Sequence, residues 1–134
     1  MIYAYDLETY PNVFTATFLN DEELHVFEIS ERCDDSVHLR AFLSLLSTER
    51  AELVGFNNLT FDYPILHYFI QMRPTLDKLY KFAMTCIRGF WRIREPYIRQ
   101  IDLLRVWHFD NKAKMTSLKQ LEFAMRMDDI RDLP

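Results

Sequence analysis

Asp6 and Glu8 stand two residues apart at the end of a short, apolar, β-prone opening segment, Ile2 to Leu7. In an extended chain, residues i and i+2 project from the same face, so these two carboxylates emerge together. At that separation they repel each other unless protons or a cation neutralise them. Their hard oxygen donors suit Mg²⁺ or Mn²⁺. A third carboxylate, Asp62, closes the segment Asn58-Leu59-Thr60-Phe61-Asp62, where an apolar helical stretch begins. Each motif has a plain alternative. A D-x-E pair is common wherever a strand reaches solvent, and Asn and Asp are ordinary residues at helix N-termini. What the three can do together depends on the elements that carry them.

Those elements are legible from periodicity. Val13 to Leu19 and Leu24 to Ile29 alternate β-branched and aromatic residues with polar ones, and a turn at Asn20-Asp21 separates them. With the opening segment they predict a three-stranded antiparallel meander. Asp34-Asp35-Ser36 starts a helix with an apolar stripe at Val37, Phe42, Leu45 and Leu46, running to Glu49 or Arg50. Glu52 to Asn57 reads as a buried strand, and a preceding helix is the right connection to lay it parallel beside the first strand. Asp62 to Met72 is helical, with Ile65, Leu66, Phe69 and Ile70 on its apolar face. Pro74 opens a further helix to between Phe82 and Met84, a strand follows over Ile98 to Leu103, and Thr116 or Ser117 caps a last helix with Leu118, Leu121 and Met125 inward. The expected fold is one α/β domain, residues 1–134. Its five-stranded mixed sheet joins the meander to two parallel strands, with helices on both faces, which is a ribonuclease H-like order.

Taken together, the motifs carry a resemblance. Tyr5-Asp6-Leu7-Glu8-Thr9-Tyr10-Pro11-Asn12, and about fifty residues later Gly55-Phe56-Asn57-Asn58-Leu59-Thr60-Phe61-Asp62, resemble the first two motifs of the DnaQ-like (DEDD superfamily) 3′→5′ exonucleases. The likeness is greatest to the proofreading domain of phage-type DNA polymerases. Ile101-Asp102-Leu103 and Ser117-Leu118-Lys119-Gln120-Leu121 are similar to that family's late strand and following helix. The resemblance implies that Asp6, Glu8 and Asp62 are catalytic and metal-holding carboxylates for a two-ion Mg²⁺ or Mn²⁺ centre. It implies that Thr9 and Asn58 seat the 3′-terminal nucleotide of single-stranded DNA, and that Tyr10 or Phe61 packs on its base or sugar. It also makes Asp102 a structural residue, not a ligand.

One family feature is missing. The fourth carboxylate belongs to a motif Y-x-x-x-D or H-x-x-x-x-D that orients or deprotonates the attacking water, and nothing after Leu121 has that form. His108 precedes Asp110 by only two residues, and Asp128, Asp129 and Asp132 lack a Tyr or His at the right offset. The expectation is a C-terminally truncated domain. Three readings stay open: a DNA polymerase or separate polypeptide supplies the remainder, or the domain is a degenerate module binding nucleic acid or protein, or it cuts weakly with three carboxylates.

Composition narrows the field from the other side. Only two Gly are present, so no Gly-rich phosphate cradle exists and Rossmann or P-loop nucleotide domains are disfavoured. Cys33 and Cys86 are too far apart for a close-spaced metal or redox pair and read as reduced thiols. The chain begins with neither a basic nor an apolar leader segment, and no apolar run is long enough to span a membrane, so a cytoplasmic protein is expected. The net charge of −4 conceals a split of −9 over residues 1–72 and +5 over residues 73–134. Arg73 to Arg105 holds eight basic and three acidic side chains interleaved with Tyr80, Phe82, Phe90, Trp91 and Tyr97. That stripe suits a nucleic-acid backbone, with Arg92 and Arg94 as candidate phosphate contacts, although a solvated helix face has the same composition.

Overall fold

The computed structural model describes residues 1–89 and 93–107. The first three strands are β1 (Ile2–Tyr10), β2 (Val13–Leu19) and β3 (Leu24–Ser30), an antiparallel meander. Helix α1 (Ser36–Thr48) then crosses over to β4 (Glu52–Gly55), which lies parallel to β1. Helices α2 (Asp62–Met72) and α3 (Leu76–Arg88) lead to β5 (Arg99–Asp102), parallel to β4, and to a short helix α4 (Leu103–Trp107). The sheet order is β3-β2-β1-β4-β5. It is an α/β fold on a five-stranded mixed sheet.

Alternation along β1 divides the sheet. Tyr3, Tyr5 and Leu7 are buried, as are Phe14, Ala16 and Phe18 of β2. They form one core with Leu39, Leu43 and Leu46 of α1, Ile65, Leu66 and Phe69 of α2, and Leu79 and Ala83 of α3. The three long helices therefore share one face of the sheet. Asp6 and Glu8 occupy the alternate, exposed positions of β1, on the opposite face. The helices expected on both faces are thus found on one among the described residues, and the predicted helix from Thr116 or Ser117 lies outside them. Among the described residues no helix is long and apolar enough to cross a membrane.

Several boundaries differ from those read in the sequence, each for a local reason. Strand β1 runs on to Tyr10 because Glu8, Thr9 and Tyr10 pair with Thr15, Phe14 and Val13 across the Pro11-Asn12 turn. Strand β4 stops at Gly55, before Asn57, whose φ of 58° is left-handed and incompatible with a strand. Helix α3 begins after Thr75, whose hydroxyl accepts the Lys78 amide, and continues to Arg88. In α1 the apolar stripe is rotated. Leu39, Leu43 and Leu46 are buried, whereas Val37 and Leu45 are 72% and 50% exposed. Phe42 lies between the two faces, packed on Tyr3, Phe18, His25 and Phe27.

This rotation sets a testable contrast. Leu46→Ala leaves a cavity and should cost about 2–5 kcal/mol of unfolding free energy. Leu45→Ala, one residue away, should cost less than about 0.5 kcal/mol. Equal losses in urea denaturation would contradict the assigned face.

Candidate functional site

Pairing between β1 and β4 covers only Ile2 to Ala4. Beyond Ala4 the rest of β1 extends past the end of β4, and the N-terminal end of α2 comes up beside it. The Leu7 amide, between the two carboxylates of the D-x-E pair, donates to Asp62 Oδ1 at 3.3 Å. Asp62 is therefore not a helix cap. The N-cap is Phe61, which makes no side-chain capping bond, and the Asp62 carboxylate turns to the sheet. A bond from the main chain of the first motif to the Asp62 side chain thus ties the second motif to it.

The electrostatics follow from that placement. Asp62 is 8% exposed. Burial and then the Asp6 charge push its pKa up to about 7, against the opposing pull of the Leu7 amide. Asp6 is raised as well, by partial burial and by the charge of Glu8. Glu8 Oε2 accepts the Tyr10 hydroxyl at 3.1 Å, which holds the exposed Tyr10 ring beside the pair. Asp6 thus stands between two like charges, raised by Glu8 and itself raising Asp62. As a donor set, hard oxygens under mutual repulsion fit Mg²⁺ or Mn²⁺. In the side-chain positions observed, no three His, Cys, Asp or Glu among the described residues converge on one ion.

The loop from β4 to α2 is held by Asp102 on β5. Its carboxylate accepts the amides of Asn57 at 2.8 Å, Leu59 at 3.2 Å and Leu104 at 3.0 Å. Three main-chain donors occupy both oxygens, so Asp102 fixes the loop that delivers Asp62. Asn58 is fully buried, and its Nδ2 donates to Gln100 Oε1 at 2.9 Å. Tyr5 Oη donates to the same oxygen, also at 2.9 Å. Burial, and then the charge of Asp62, keep the Tyr5 phenol well above its ordinary pKa. Gly55 gives Asn58 its place, because a Cβ at residue 55 would lie 2.7 Å from Asn58 Cβ.

Of the residues expected to contact a nucleotide, Asn58 lies inside the protein, so its observed contacts are to the fold itself. Its Oδ1, and the Thr9 hydroxyl, are buried without a hydrogen-bond partner among the described residues. Phe61 is partly buried against the core and lines a cleft with Thr60 and Ile87. Arg94 is exposed, and Arg92 lies outside the described residues. Elsewhere in the basic stretch, Lys81 pairs with Asp77 and Arg99 with Glu52. Gln100 was not singled out from the sequence. Its signal was present: Gln100 and Asp102 share one face of the edge strand β5 with the buried Ile98, where apolar residues are the rule.

Comparison with family models, curated proteins and solved structures gives no match.

The raised Asp62 pKa makes stability depend on pH, with a definite sign. The folded state holds this proton more tightly than the unfolded chain, so stability falls as pH rises from about 4 to about 7. Asp62→Asn keeps an oxygen for the Leu7 amide and removes the charge. It should lose this slope and be more stable than the parent at pH 8 by up to roughly 4 kcal/mol. Parallel curves of unfolding free energy against pH would contradict the assignment.

Proposed function

We propose that this chain is a ribonuclease H-like, metal-dependent 3′→5′ exonuclease domain of the DnaQ-like type, acting on single-stranded DNA ends. The observation that carries the reading is the Leu7 N–H bond to Asp62. It ties a carboxylate from the start of α2 to the Asp6–Glu8 pair on β1. Two motifs separated by more than fifty residues of chain meet beside β1, and the Asp6 charge raises the Asp62 pKa.

Asp6, Glu8 and Asp62 would hold the ions. Bound Mg²⁺ or Mn²⁺ supplies an acidified water at neutral pH and charge neutralisation on the attacking and leaving oxygens of a phosphodiester. The chain's own contribution is position. Asp102 locks the loop carrying Phe61 and Asp62, and the Leu7 amide fixes the orientation of Asp62. Tyr10, whose hydroxyl is bonded to Glu8, and Phe61, one residue before Asp62, would offer apolar surfaces to the terminal nucleotide.

A second reading, a non-catalytic module on the same fold that binds nucleic acid or protein, has an observation of its own. The three carboxylates do not converge on one point among the described residues.

The two readings separate on a 5′-labelled single-stranded oligonucleotide incubated with Mn²⁺ or Mg²⁺. The exonuclease reading expects stepwise shortening from the 3′ end, abolished by chelation and by Asp6→Ala. DNA binding without shortening, indifferent to Asp6→Ala, gives the binding module instead.

A further inference from the structure

A groove of about 410 Å³ lies between α1 and α2, in the helix layer and away from the sheet face that carries Asp6 and Glu8. Two guanidinium groups stand at one end, Arg40 on α1 and Arg73 at the C-cap of α2. Arg40 is anchored: its Nη1 donates to the Phe69 carbonyl at 2.8 Å, and its Cζ lies 4.1 Å above the Phe69 ring. Burial lowers the Arg40 pKa, and the neighbouring charge of Arg73 lowers it further. Neither arginine has an ion-pair partner among the described residues, although the charge of Asp34 reaches Arg40. Two cations in one groove, one of them partly desolvated, repel each other until an anion lies between them.

At the other end stands Tyr97, 47% exposed yet pinned on three sides. Its amide donates to Tyr63 Oη at 2.7 Å, and its carbonyl accepts the Ser47 hydroxyl at 2.9 Å. Its ring stacks on His67, with centroids 4.5 Å apart and planes inclined by 9°. An exposed aromatic held this rigidly loses little entropy when a ring packs on it. Arg40 and Ser47 are two helical turns apart, about 10 Å along the α1 axis. A mononucleotide spans that length from phosphate to base. The volume falls in the range of small-ligand sites, and the wall between the two ends carries the apolar Ile70 and the hydroxyl of Ser44.

The geometry points to a binding site for a nucleoside monophosphate in this groove, with the phosphate between Arg40 and Arg73 and the base against Tyr97. The inference is independent of the exonuclease reading, since it shares no residue with the carboxylate group.

The test is a titration of the ¹⁵N-labelled chain with AMP, inorganic phosphate and adenosine, followed by amide shifts. AMP should give saturable shifts at Ser44, Ser47, Arg73 and Tyr97, with adenosine and inorganic phosphate each binding at least about tenfold more weakly. Arg73→Gly removes one guanidinium at a left-handed position that glycine adopts freely (φ 46°), so the fold is kept. It should weaken AMP by about tenfold or more, and Tyr97→Leu should reduce AMP to the affinity of inorganic phosphate. Asp6→Asn should leave AMP binding unchanged. No saturable binding by millimolar AMP, unchanged affinity in Arg73→Gly, or shifts confined to the neighbourhood of Asp6 and Asp62 would each overturn the assignment.

Discussion

The contact on which the candidate site depends is the bond from the Leu7 amide to the Asp62 carboxylate. It exists because β1 is longer than its parallel neighbour. Strand β4 ends at Gly55, so the rest of β1 has main-chain groups that β4 does not reach. A buried amide must find an acceptor, and here the acceptor is a carboxylate. That choice places a negative charge, mostly shielded from water, next to Asp6 and Glu8. A neutral acceptor would satisfy Leu7 without this penalty. The fold therefore carries a standing electrostatic cost at the end of its central strand, which a divalent cation would relieve.

The buried polar groups around this point are arranged to hold it. Asp102 spends both oxygens on the β4–α2 loop, while Gln100 gathers Tyr5 and Asn58 from two other elements. These bonds join β1, β5 and the loop into one unit, so Asp62 cannot shift without disturbing several of them. Such networks rigidify when satisfied and are costly when partly satisfied. The unpartnered oxygens of Asn58 and Thr9 are the exceptions among the described residues. Both lie in segments that flank the carboxylates in sequence.

Much of the fold was legible because its strands alternate cleanly and its helices follow apolar runs. The meander, the crossover to a parallel fourth strand, and the span of α2 all follow from period and turn residues. The apolar face of α1 did not, since Val37 and Leu45 are as apolar as Leu39 and Leu43 and only the packing partners distinguish them. The end of β4 was also hidden, because it is set by the left-handed backbone of Asn57 and the close approach of Asn58 to Gly55. At the site, Asp6 and Glu8 sharing one face was a consequence of strand geometry. The burial of Asn58 was not visible, because an Asn in a loop reads as solvated until the partners Tyr5 and Gln100 are placed around it. The role of the Leu7 main chain has no signature in a side-chain sequence at all.

The claim that burial and the Asp6 charge raise the Asp62 pKa is tested most directly by titrating the Asp62 side-chain carboxyl by ¹³C NMR, with and without Mg²⁺. The account predicts a midpoint near 7 in metal-free solution, moving towards the ordinary carboxylate range when Mg²⁺ is added. A midpoint near that ordinary range from the outset, unmoved by Mg²⁺, would contradict it and leave Asp62 as a partner for the Leu7 amide and nothing more.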